Sequence, residues 1–255
     1  MTGCLKVWRD RDGKLLRLRL SRPKANIVDA EMIAALSAAL ADGAKDTHVH
    51  AVLIDHEGPH FSFGASVAEH MPDQCAAMLK GLHALVLAMV EYPVPILVSV
   101  RGQCLGGGLE VAMAGHMMFV SPDAKLGQPE IVLGVFAPAA SCLLPERMPQ
   151  VAAEDLLYSG RSITGEEAVR LGLANTVADE PEAAALAWFD AGAANHSAAS
   201  LRFAVKAARL GMVERVKAKI AAVEELYLNG LMATRDAVEG LNAFIEKRAA
   251  TWEDR

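Results

Sequence analysis

Two glutamates beside glycine and proline turns are the residues of this chain best placed to do chemistry. Glu110 follows Cys104-Leu105-Gly106-Gly107-Gly108-Leu109, and Glu130 comes twenty residues later in Gly127-Gln128-Pro129-Glu130. A glycine run lets the backbone come very close to another group, because no Cβ restricts it. Residues 109–118 are good helix material, so the glycines are expected to open a helix. A helix start offers unpaired N–H groups and the positive end of the dipole. It suits an anion, or an oxygen that becomes one during a reaction. Glu110 falls in the first turn of that helix and Glu130 just past a Gln-Pro turn, giving two possible proton carriers beside an oxyanion hole. The same residues also allow a plainer reading, a tight turn with close helix packing and a glutamate complementing the dipole. No dinucleotide fingerprint or P-loop is present, since neither G-x-G-x-x-G after a strand nor Gly-Lys-Ser/Thr occurs here.

Other chemistries find less support. The four cysteines (Cys4, Cys75, Cys104, Cys142) are widely spaced and form no C-x-x-C pair, which fits small core residues in a reducing compartment. His56 and His60 are separated by Gly58 and Pro59, so they share no helical face, and a metal site is not expected. No G-x-S-x-G nucleophile elbow occurs. The net charge of −6 argues against nucleic acid or an anionic membrane as a general partner. No apolar run is long enough to span a membrane. The stretch Met1-Thr2-Gly3-Cys4-Leu5-Lys6-Val7-Trp8-Arg9-Asp10 lacks the apolar region of a signal peptide, so a cytoplasmic location is expected.

The elements that must hold the glutamates alternate along the first half. Strands are expected at residues 15–20, 51–54, 96–100 and 117–120, as short apolar runs bounded by turn residues. Asp29 can cap a helix over residues 30–40, and a long helix over 73–90 ends at Tyr92-Pro93-Val94-Pro95. From about Ala152 strand signals nearly vanish. Thr164 caps one helix, residues 182–191 form another, and helices rich in Ala, Leu, Lys and Glu follow from about Ser197. Strands first and helices last predict an α/β sheet core with a helical C-terminal module. With 255 residues, 53% of them hydrophobic, the chain can build a large core.

Four motifs, in order, resemble the enoyl-CoA hydratase/isomerase (crotonase) superfamily. They are Ser21-Arg22-Pro23-Lys24-Ala25-Asn26, Phe61-Ser62-Phe63-Gly64-Ala65-Ser66, Leu126-Gly127-Gln128-Pro129-Glu130, and Glu239 to Arg248 read as EGLNAFIEKR. The resemblance implies a spiral of ββα units over residues 1–195 with the acyl-CoA site. It also implies a helical region over 196–255 that builds a homotrimer, often paired into a hexamer. Coenzyme A would enter as part of the substrate, with no separate cofactor.

The resemblance also implies roles. Ala65 and Gly107 match the two main-chain N–H donors of the family's oxyanion hole, and Glu110 and Glu130 match its two catalytic glutamates. Having both favours a hydratase over an isomerase, dehalogenase or thioesterase. The sequence leaves open which carboxyl is ionised at rest. Arg22, Lys24 and Ala25 match the segment along the CoA nucleotide. Phe244 and Lys247, three apart on one helical face, match a pair that reaches a neighbouring subunit's CoA; solvated charge is the plainer reading of both lysines.

Departures from the family pattern bear on the substrate. Val135-Phe136-Ala137-Pro138-Ala139-Ala140-Ser141 stands where straight-chain hydratases usually carry Pro-Gly-Ala-Gly-Gly-Thr, so Pro138, which has no N–H, replaces a water-holding glycine. That loop, with Glu69-His70-Met71-Pro72-Asp73-Gln74, resembles a branch that adds water to a conjugated cyclic dienoyl-CoA. Met71, Phe136, Pro138 and Ala139 are expected to shape a ring pocket, although plain core packing is the favoured reading of Met71. The alternatives are a straight-chain enoyl-CoA hydratase of β-oxidation and a non-catalytic crotonase-fold binding protein, which the acidic charge and the glutamate pair disfavour.

Overall fold

The computed structural model describes residues 3–255; Met1 and Thr2, the start of the N-terminal stretch read above, lie outside it. The chain opens with β1 (Leu5–Asp10), β2 (Leu15–Leu20), α1 (Ala30–Lys45), β3 (Ala51–His56) and α2 (Cys75–Val90). It continues through β4 (Ile96–Val100), β5 (Gln103–Leu105), α3 (Gly107–Ala114), β6 (Met117–Val120), β7 (Lys125–Gly127) and α4 (Pro138–Arg147). After α5 (Gln150–Ser159) come β8 (Ser162–Thr164), α6 (Gly165–Arg170), β9 (Thr176–Val177) and α7 (Pro181–Ala191), and the chain closes with α8 (Ala198–Glu225) and α9 (Arg235–Ile245).

The strands form a six-stranded sheet in the order β1-β2-β3-β4-β6-β9 and a three-stranded sheet in the order β5-β7-β8. Only β1–β2 and β7–β8 pair antiparallel. Consecutive strands such as β4 and β5, or β6 and β7, divide between the two sheets, and a helix follows each pair. This repeat makes a spiral, and it brings the ends of β5 and β7 side by side, with Leu105 opposite Gly127. The glycine run and the Gln-Pro-Glu turn are therefore neighbours in space.

The large sheet is covered on both faces, so its strands read as continuous apolar runs. Along β3, Val52 and Ile54 face the main core with α1, α2 and α3, while Ala51 and Leu53 meet Ala185 and Phe189 of α7. Arg17 and Arg19 of β2 lie on the α7 side, where both pair with Asp55 and Glu182.

Local signals were mostly obeyed. Asp29 caps α1, accepting from the Met32 N–H at 3.0 Å, but the helix runs past Leu40 to Lys45 because alanines continue through Gly43. Thr164 caps α6 through the Glu167 N–H at 3.1 Å. The helix opened by the glycines stops at Ala114 rather than Met118, since Met117 to Val120 pair with Leu97 to Val100 instead. The long second helix begins at Cys75, not Asp73. All four cysteines are buried and unpaired. No helix of the described residues is long and apolar enough to cross a membrane.

Candidate active site

The Phe61–Ser66 loop is held by buried polar groups. Asn26 donates to the Glu57 and His60 carbonyls at 3.1 and 3.0 Å, and the Ser62 hydroxyl donates to the Asn26 carbonyl at 2.8 Å while accepting the Gly64 N–H at 3.0 Å. These bonds press the loop against the start of α3. A Cβ built on Gly107 would meet the Ala65 nitrogen at 3.1 Å and the Ala65 Cβ at 3.0 Å, a spacing only glycine tolerates. The two N–H groups expected to form an oxyanion hole are thus brought together, and neither has an acceptor among the described residues. Gly106, just before them, takes φ +49°, and a Cβ there would lie 2.5 Å from Glu130 Oε1.

Glu110 is buried in the first turn of α3, with its Oε1 accepting the Ala140 N–H at 2.8 Å. Ala137, the residue before α4, supplies no side-chain cap, so Glu110 caps α4 from another helix. Pro138 now has a structural reason. It occupies the first position of α4, where an N–H would be unpaired in any case, and leaves the next N–H groups to the carboxylate. Burial raises the Glu110 carboxyl above its ordinary value, opposed by the Ala140 N–H, the charge of His83, and the Ala139 N–H.

Glu130 sits in a 3₁₀ turn, Pro129–Leu133, beside β7. Gln128, with its amide nitrogen turned toward it, donates to the two carboxylate oxygens at 3.0 and 3.2 Å. Burial, and then the charge of Glu110, push the Glu130 carboxyl up to about 8. The two acids share one electrostatic environment, and a second negative charge is costly there.

A narrow cleft of about 60 Å³ opens onto Ala65, Gly106 and Glu130, with Phe63, Gly64, Val67, His70 and Leu241 also in its walls, while Glu110 and Gly107 lie behind them. A larger cavity of about 610 Å³, between α8 and the Val90–Pro93 turn, contains neither glutamate and none of the N–H pair. Ala65, Gly106 and Glu130 all lie on the smaller one.

The other expected residues are placed as follows. Met71 and Phe136 are half-buried against the core and Pro138 and Ala139 are buried, so none of the four lines the cleft as it stands. Arg22 pairs with Asp29, its second Nη 2.8 Å from Oδ1, so its charge is already engaged. Lys24 is exposed, and the Ala25 carbonyl accepts the Phe63 N–H at 2.9 Å. Phe244 is exposed on α9, whose Leu241 lines the cleft. Lys247 does not share its helical face. The helix ends at Ile245, and Lys247 lies beyond it with φ +55°, because the chain reverses there toward Arg248 and Glu239.

Three groups carried no sequence signal. The guanidinium groups of Arg147 and Arg209 are largely buried at the far end of α3, donating to the carbonyls of Met113 (2.5 Å) and Gly115 (2.7 Å) respectively. There they complement the negative end of the dipole whose positive end faces the reaction. His83 of α2 is buried, 2.6 Å from a Glu224 oxygen. Only the fold shows that these residues stand around α3.

A spiral of strand pairs with a close N–H pair and two coupled acids defines an acyl-thioester enzyme, and the chain belongs to the enoyl-CoA hydratase/isomerase family, whose profile matches residues 10–255. It is 67% identical over 251 residues, 98% of this chain and 97% of the other, to the cyclohexa-1,5-dienecarbonyl-CoA hydratase of Thauera aromatica. It is 33% identical, over 91% of this chain and 92% of the other, to a probable enoyl-CoA hydratase of Bacillus subtilis (strain 168). Among solved structures it is similar to an enoyl-CoA hydratase from Mycobacterium avium (TM-score 0.88, 24% identity, 99% and 100% of the two chains covered). An enoyl-CoA hydratase/isomerase from Pseudoalteromonas atlantica T6c gives a TM-score of 0.85 at 27% identity over 98% and 99% of the chains. The fold is the mixed α/β crotonase fold with a helical C-terminal region.

Proposed function

We propose that this enzyme adds water to cyclohexa-1,5-diene-1-carbonyl-CoA, giving 6-hydroxycyclohex-1-ene-1-carbonyl-CoA. The observation that carries the reading is the likeness over nearly the whole chain to the Thauera aromatica hydratase, joined to the paired acids beside two convergent N–H groups. In this reading Glu130 holds the proton and Glu110, which accepts the Ala140 N–H as the cap of α4, is the carboxylate.

The reaction follows from those states. Glu110 takes a proton from water as its oxygen attacks the ring carbon β to the thioester carbonyl. Electron density moves through the thioester into a dienolate, whose oxygen the Ala65 and Gly107 N–H groups stabilise. Glu130 gives its proton to the far end of the conjugated system, and one ring double bond remains. The proton gained by Glu110 replaces the one lost by Glu130, so the acid pair is restored by one transfer between them. No cofactor is needed beyond the CoA that the substrate carries.

In the same proposal Arg22, Lys24 and Ala25 border the nucleotide, and Phe244 and Lys247 reach CoA from the C-terminal helix. Residues 1–195 form the catalytic core, and 196–255 carry the contacts of a homotrimer or of a hexamer. Exposed Phe203 and Leu210 on α8 support such contacts, since large apolar side chains grouped on one helix suit an interface. The four unpaired cysteines suit a cytoplasmic setting. Light scattering of the purified protein tests the assembly, with three or six copies expected and a monomer contradicting it. For the reaction, mass spectrometry of the product after incubation with the cyclic dienoyl-CoA should show the gain of one water; unchanged thioester contradicts it.

A further inference from the structure

Tyr227 is fully buried, yet its hydroxyl has no hydrogen-bond partner. An unpaired phenol in the interior is costly, so such a group calls for a partner in some working state. The residue lies in a single π-helical turn, Leu226–Gly230, that interrupts the chain directly after α8. Such turns insert one extra residue and redirect a side chain, and they are frequent at functional sites. Here the turn directs the ring edge-on against Phe136, centroids 5.2 Å apart, in the loop that departs from the straight-chain pattern. Phe136 stands two residues before Pro138, in the segment whose Ala140 N–H Glu110 holds at 2.8 Å, so the phenol packs beside the loop tied to that carboxyl. Cys75 at the start of α2, Glu130 in the 3₁₀ turn and Glu110 on α3 are the titratable neighbours that oppose its ionisation. Burial and these neighbours push its ionisation far up, so it is a neutral donor at every working pH.

The loop has the matching gap. Pro138 has no N–H, and the N–H of Ala140 behind it is spent on Glu110, so the start of α4 has lost one donor and committed another. A water set between the two carboxyls still needs a donor or acceptor to fix its orientation.

We propose that the Tyr227 hydroxyl binds the attacking water, and afterwards the hydroxyl of the product, in the place a main-chain N–H would occupy if residue 138 were not proline. The inference rests on the hydratase reading above. The phenol donates to the water oxygen, leaving one water proton for Glu110, and no atom or electron is transferred to or from the tyrosine.

The test compares wild type, Tyr227→Phe and Tyr227→Leu on whichever of cyclohexa-1,5-diene-1-carbonyl-CoA and crotonyl-CoA the wild type hydrates. Tyr227→Phe keeps the ring and its contact with Phe136 and removes only the unpaired hydroxyl. Its kcat should fall about 10²-fold, the scale of one lost preorganised donor, with KM unchanged within about threefold. Its melting temperature should equal or exceed that of the wild type, which a structural hydroxyl would not allow. Tyr227→Leu should show a similar kcat together with a lower melting temperature. A Tyr227→Phe enzyme within twofold of wild type overturns the proposal, and so does a kcat loss confined to Tyr227→Leu. Wild type active only on crotonyl-CoA overturns the cyclic substrate while the tyrosine is still decided; wild type active on neither overturns both.

Discussion

Glu110 accepts the main-chain N–H of Ala140 at 2.8 Å and so caps a helix, α4, to which it does not belong. One carboxylate thereby serves as the anchor between two helices and as the base of the proposed reaction. The substitution Glu110→Gln keeps an oxygen to accept that N–H but cannot take a proton. It should lower kcat by about 10²–10⁴-fold while leaving the melting temperature within about 1 °C of wild type. Glu110→Ala should lose as much activity and also about 1 kcal/mol of stability as a lost cap, lowering the melting temperature by about 2–4 °C. Steady-state kinetics and thermal denaturation of the two variants check the separation; equal melting temperatures would remove the capping role.

Glu130 gives a pH signature with a definite sign. Its folded value of about 8 lies above its ordinary value of 4.5, so the folded chain binds the proton more tightly than the unfolded one. The stability due to that proton is complete below about pH 4.5 and is lost as pH rises through about 8. Replacing Glu130 with Gln should therefore raise the melting temperature relative to wild type at pH 9 and change it little at pH 4.5. In wild type, kcat/KM should fall above about pH 8, as Glu130 of the free enzyme loses the proton it must donate. Thermal scans and pH–rate profiles check both; an alkaline limb absent up to pH 10 would contradict the assignment of the acid.

Gly107→Ala places a methyl group 3.0 Å from the Ala65 Cβ and 3.1 Å from its nitrogen, so the two N–H donors must separate. The loss should be about 10²–10³-fold in kcat, as when one oxyanion donor is removed. The affinity for CoA alone should hold, since the nucleotide lies elsewhere in the proposal. Kinetics beside a calorimetric titration with CoA distinguish these outcomes, and an unchanged kcat would move the oxyanion hole away from Gly107.

Lys247 lies outside α9 in a left-handed conformation, exposed and with no acidic partner within ion-pair distance among the described residues. Lys247→Ala should raise KM for CoA thioesters several-fold and leave kcat unchanged. Thioesters of pantetheine, which lack the nucleotide, should be hydrated equally well by both proteins. An equal KM on the CoA thioester would return Lys247 to ordinary surface charge.

How much of this was legible in the sequence depends on the range of the interaction involved. Strands such as Ile96–Val100 and caps such as Asp29 were readable, because their signals lie within a few residues. The family motifs lead one to expect Ala65 beside Gly107, which the bridge of Ser62 to Cys104 brings about, but not the close approach of Gly106 to Glu130, which comes from the pairing of β5 with β7. Pro138 was read as a lost water ligand, whereas its place at the head of α4 shows what it supplies to Glu110. Tyr227 left no trace, since a π-helical turn has no short signature inside a stretch rich in helix formers. Lys247 was misplaced onto α9 because a non-glycine left-handed residue gives no sequence warning where a helix ends.

The central claim is the cyclic substrate, and paired kinetics test it most directly. Purified enzyme offered cyclohexa-1,5-diene-1-carbonyl-CoA and crotonyl-CoA under the same conditions should show kcat/KM at least about 10²-fold higher for the cyclic diene, about the scale by which a shaped apolar pocket discriminates. A kcat/KM that is equal for the two, or higher for crotonyl-CoA, would contradict the account and make this a straight-chain hydratase.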